Sequence, residues 1–178
     1  MVIGGGVDID MATKLLYETT GVSKNSSTFH ELCDSKGPTL TIAQCTKGYV
    51  FGGYNPQSWI SPHPATHIRN RFEEGRSAFL FSLVNPEGTA PTKYNVTNPD
   101  FASYHDGRWG PVFGGNESGD FDISFWNSRR DSSVCFPTSF EDTTGRGIHT
   151  FTEGTIKTNS VGTSYVRFAI DRLEVWSV

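Results

Sequence analysis

Apolar positions along this chain fall mostly into short runs of two-residue period, the spacing of strands that bury one face. Leu40 and Ile42 alternate with threonines, and Lys47-Gly48 then turns the chain into Tyr49–Tyr54, which predicts a hairpin. Ala78–Val84 is a continuous apolar run stopped by Asn85-Pro86-Glu87-Gly88, the pattern of a central strand buried on both faces. Asp120–Trp126, Tyr165–Ile170 and Leu173–Val178 alternate again. Helical spacing occurs only near the start, where Ile9, Ala12, Leu15 and Leu16 follow Asp8. Thr28-Phe29-His30-Glu31 reads as the capping box of a second short helix, ended by Gly37-Pro38. Residues 55–76 are polar, contain Pro56, Pro62 and Pro64, and predict a long surface loop with a turn of helix or a binding surface. The pattern predicts an α+β, β-dominated fold, a two-sheet antiparallel β-sandwich flanked by short helices.

Two aromatic-glycine-glycine sites punctuate the strands, Phe51-Gly52-Gly53 and Phe113-Gly114-Gly115. A Phe there suits a pleated sheet, whereas paired glycines remove side chains where another backbone comes close or φ must be positive. Neither site continues into a dinucleotide or phosphate loop. Read with Phe29–Thr41, Trp59, Ser77–Leu83, Asp120-Phe121-Asp122-Ile123 and Leu173-Glu174-Val175-Trp176, their order and spacing closely resemble a TLDc domain, over about Leu15 to Trp176. The resemblance implies a compact β-sandwich flanked by helices and no established catalytic reaction or cofactor. It also implies protection against oxidative stress and binding to the vacuolar proton ATPase; three cysteines without disulfide spacing lead us to expect a cytoplasmic protein, peripheral to organelle membranes through that partner. Asp120 coincides with the acidic position that follows Gly-Gly in the TLDc pattern.

At 178 residues the chain predicts one domain over 8–178, preceded by residues 1–7 as a glycine-rich linker stub or an artificial boundary. It reads as a module of a larger multidomain protein. Fifteen basic against 19 acidic residues, with no basic cluster beyond Arg129-Arg130, leave no electrostatic footprint for nucleic acid. No segment approaches a membrane span, so no membrane insertion is expected. Cys33, Cys45 and Cys135 lack C-x-x-C spacing and fit reduced thiols better than a disulfide framework or zinc site.

Candidate chemistry is sparse. Asp120 and Asp122 are two residues apart, on one strand face if a strand runs through them. The E-x-D-x-x-E set of β-jelly-roll glycosidases would need a third carboxylate where Phe125 stands, so a solvated face or a turn-capping Asp is the expectation. A carbohydrate-active or carbohydrate-binding jelly roll using Asp120 and Asp122 remains the alternative to an interaction module. His30 and Cys33 share a face of the short helix at i, i+3, which could activate the thiol; a buried structural cysteine is the plainer reading. Glu174 alternates with Leu173 and Val175, reading as an outward residue that protects an edge strand. His63 and His67 have metal-ligand spacing, but Pro64 lies between them and no metal is expected. With Arg69 and Arg71 they are the loop side chains that would bind a partner, and Trp59 is either a hot spot or, as we expect, an anchor packed on the sheet.

Overall fold

The computed structural model describes residues 13–21, 25–61, 66–67, 76–126 and 132–178. Along the chain they form β1 (Lys14–Thr20), α1 (Ser26–Cys33), β2 (Thr39–Cys45), β3 (Val50–Asn55), β4 (Thr66–His67), β5 (Phe79–Val84) and β6 (Thr92–Asn95). They continue as β7 (Tyr104–His105), β8 (Val112–Phe113), β9 (Ile123–Ser124), β10 (Ser132–Val134), β11 (Ile156–Thr158), β12 (Ser164–Phe168) and β13 (Ile170–Ser177). The larger antiparallel sheet runs β1-β13-β2-β3-β5-β6, and the second runs β11-β12-β10-β9-β8. β4 and β7 make a separate pair.

The sheets bury their facing side chains against each other. Phe51 and Leu80 of the larger sheet are fully buried with Phe113, Ile123 and Val134 of the second and with Phe125 just after β9. Phe51 stacks on Phe125 at 6.1 Å between ring centroids and meets Phe168 edge-on at 5.2 Å. Such offset and edge-to-face pairs add about 0.5–1.5 kcal/mol each beyond the area they bury.

Both glycine doublets earn their sequence. A Cβ on Gly52 would run into the Thr41 carbonyl of the neighbouring strand, and one on Gly53 would lie 2.7 Å from Phe113 Cε1. Close approach, not φ, is the reason at this pair. Gly114 needs both, since its φ is +73° and a Cβ would strike the Asp122 carboxylate.

Four expectations change. Leu15 and Leu16 lie in β1, not in a helix, while Ile9 and Ala12 fall outside the described residues. The cap of α1 is Asn25, whose Oδ1 accepts from Ser27 N at 3.0 Å, so Thr28 sits inside the helix. β5 buries Leu80 and Ser82 on one face and Phe81 on the other, where Phe79 and Leu83 stay partly exposed, so the second face is covered only in part. β13 is no edge strand, because it lies between β1 and β2.

Candidate functional site

The acidic pair does not act as a pair. Only Ile123-Ser124 is strand, so Asp120 and Asp122 precede it and diverge. Asp122 is fully buried, where it accepts from Thr138 N at 2.6 Å, Ser139 N at 2.8 Å and the Thr138 hydroxyl. It staples the segment after β10 to the start of β9, a capping role in the core, not on a solvated face. Burial raises its carboxyl from 3.8 to about 6, against the lowering effect of those donors. Asp120 is also buried, holding Asn159 Nδ2 at 3.0 Å, Thr163 Oγ1 at 2.9 Å and Asn116 Nδ2 at 3.3 Å. Two carboxylates committed to separate donors do not flank a sugar bond.

His30 and Cys33 are likewise separated. His30 Nδ1 lies 2.8 Å from Asp34 Oδ1, and Nε2 meets the Asp106 and Trp109 carbonyls at 3.1 and 3.0 Å. These bonds tie α1 to the segment between β7 and β8. Cys33 is fully buried, and burial first, then the Asp34 charge, pushes its thiol up to about 12. A thiol so protonated at neutral pH is a poor nucleophile. Ser61 Oγ donates to Asp34 Oδ2 at 2.5 Å, so serine, aspartate and histidine adjoin. The carboxylate, however, stands in the middle, whereas proton abstraction from serine needs the imidazole there.

Sequence reasoning missed a second histidine network. Ser103 Oγ lies 2.9 Å from His105 Nε2, and both residues are 1% exposed. Ile60 N donates to His105 Nδ1 at 3.2 Å, which assigns the ring proton to Nε2. That ring therefore donates to Ser103 and cannot take its proton. His105 also packs 5.0 Å from Trp59, whose Nε1 donates to Thr39 Oγ1 at 2.9 Å. Trp59, 1% exposed, is the anchor, not a surface hot spot. The only signal in the sequence is the i, i+2 spacing of Ser103 and His105, which is too common to read.

Glu174 faces outward between the fully buried Leu173 and Val175, accepting from Trp176 Nε1 at 2.9 Å and pairing with Arg172 at 2.7 Å. His63, Arg69 and Arg71 lie outside the described residues, as does the side chain of His67, whose backbone is in β4. Among the described residues no three His, Cys, Asp or Glu side chains group as metal ligands, and no helix is long and apolar enough to cross a membrane.

With this geometry in hand, the match to known families decides the matter. A TLDc domain model fits residues 8–178. The chain belongs to the TLDc domain family. The mTOR-associated protein MEAK7 of Danio rerio is 31% identical over 70 residues, 39% of this chain and 14% of that protein. MEAK7 of Mus musculus is 31% identical over 74 residues, 40% and 14% respectively. The match thus spans about a seventh of those relatives' length. In this TLDc domain Asp120 and Asp122 hold loops together, and one open cleft of about 220 Å³ is lined by Trp109, Phe121, Tyr165, Asp120 and Arg167.

Proposed function

We propose that this TLDc domain is a non-catalytic module that engages the vacuolar proton ATPase from the cytoplasm and through that contact limits oxidative damage. It acts as one unit over 8–178. The observation that carries this reading is the commitment of Asp122, Asp120, His30 and Cys33 to bonds or burial that build the fold. A general acid or base must reach a substrate proton, and losing one costs 10²–10⁴-fold in rate. Binding distributes its energy over a patch with a few hot spots. Arg69 and Arg71, in the segment 55–76, supply the charged contacts. The mTOR association in the relatives' name makes mTOR a second partner to assay alongside the pump.

The test is retention of the pump from detergent-solubilised organelle membranes on the immobilised chain. Arg69→Ala and Arg71→Ala should weaken retention in graded steps, while Cys33→Ser, His30→Asn and Glu174→Gln, each checked for folding, retain it. A pump that stays in the flow-through at micromolar chain sinks the partner. A well-folded variant that loses cellular protection while still binding would restore an enzymatic reading.

A further inference from the structure

The outer face of the larger sheet is more apolar than an exposed antiparallel sheet requires. In β2, Thr41, Ala43 and Cys45 point into the sandwich, which leaves Leu40, Ile42 and Gln44 outside. In β13, Leu173 and Val175 point in, and Arg172, Glu174 and Trp176 point out. Strand register then sets Trp176, Leu40, Tyr54 and Phe79 side by side across β13, β2, β3 and β5. Tyr54 and Phe79 stack with centroids 5.2 Å apart, and Lys93 Nζ lies 4.4 Å from the Phe79 ring centre. The next row holds Ile42, Gly52 and Phe81. Phe81, itself buried, fills the space a Gly52 side chain would take, with Cζ 2.9 Å from that Cβ position. Leu40, Ile42, Tyr54, Phe79 and Trp176 all remain partly exposed. A contiguous patch of this kind marks an interaction surface.

We infer that this face is an isologous interface and that its occupant is a second copy of this chain. A two-fold axis parallel to the strands, between β2 and β3, lays β5 of one copy over β13 of the other, β3 over β2 and β6 over β1. Phe79 then meets Trp176, and Tyr54 meets Leu40, so the aromatic row packs on itself. Charge is self-complementary under the same operation. Lys93 on β6 comes over Glu18 on β1. Glu18 and Glu174 share Arg172 at 2.9 and 2.7 Å, which leaves that edge one net negative charge for Lys93 to meet. Glu141, one row from Lys93, is already held by Asn95 Nδ2 at 2.7 Å. Six strands about 4.8 Å apart, averaging about six residues of about 3.4 Å, present roughly 600 Å² per copy, about three-quarters of the roughly 800 Å² per partner of a stable interface. Self-association through this face is independent of any contact with the proton pump, which the Arg69 and Arg71 substitutions address.

Sedimentation equilibrium of the 178-residue chain, from about 1 to about 200 μM, tests it. The expected result is a monomer–dimer equilibrium that Tyr54→Arg abolishes without changing the circular dichroism spectrum. Lys93→Glu or Glu18→Lys alone should weaken the dimer about five- to tenfold, as each charge occurs twice across a two-fold interface. The two together should restore it to within about threefold of the original, which guards against a folding defect in Tyr54→Arg. A monomer at every concentration, a dimer that survives Tyr54→Arg, or charge reversals that fail to compensate would each overturn the inference.

Discussion

Asp122 carries a proton more tightly in the folded protein than in the unfolded chain, because burial raises its carboxyl to about 6. Its contribution to stability is therefore complete below the unfolded value near 3.8 and is lost as pH rises through about 6. The span corresponds to about 3 kcal/mol. Urea unfolding at a series of pH values should show wild-type stability falling relative to Asp122→Asn by about that amount between about pH 4 and 7. A flat difference would mean that the donated bonds from Thr138 and Ser139 hold the ionised form after all. Steric crowding governs the neighbouring glycines. Gly53→Val should cost about 1–3 kcal/mol as the new side chain meets Phe113 and Leu80. Gly52→Ala should cost at least as much, since a strand carbonyl yields less readily than a ring. Thermal melts of the two variants check the order.

Within elements, β13 concentrates the contrast between faces. Leu173→Ala should cost about 2–5 kcal/mol, because the residue is fully buried between the sheets. Glu174→Ala should cost no more than about 1 kcal/mol, because the residue is outward and its ion pair is with the half-exposed Arg172. Denaturant titration of both separates burial from charge. The alternation that made this strand readable, and the Thr39–Asn55 hairpin with it, spans five or more residues. β4, β7, β8 and β9 are two residues long and too short to display any period. β1 misled for another reason. A bulge between Leu15 and Tyr17 inserts a residue out of phase, so consecutive apolar positions imitate helical spacing. The site residues were legible as types but not as environments. Asp122 looked solvated because its partners, Thr138 and Ser139, come from 16 and 17 residues away. His105 gave no sign of the amide at Ile60 that fixes its tautomer.

At the scale of the whole molecule, the three cysteines are free, two of them buried and Cys135 partly exposed. Burial pushes both Cys33 and Cys135 up to about 12, with acidic neighbours adding to the rise. Native protein at about pH 8 should therefore react slowly with iodoacetamide at these positions, because the thiolate is the nucleophile. Denatured, unreduced protein should titrate as three thiols. Rapid native labelling of Cys33 would show that the end of α1 opens, and a count of one would show a disulfide.

The position of β13 in the larger sheet also sets an order of events during synthesis. β1 and β2 emerge early, yet neither touches the other, because the strand that joins them begins at Ile170. At about 5–20 residues per second, the hairpin of β2 and β3 waits on the order of 10 s for its neighbour. Through that interval the facing backbone edges of β2 and β1 stand unpaired, a template for any extended segment nearby. A stop codon after Phe168 would leave the sheet permanently divided between its first and third positions, not frayed at its rim. Ribosome-bound chains of increasing length should accordingly stay protease-sensitive until Ser177 has cleared the exit tunnel.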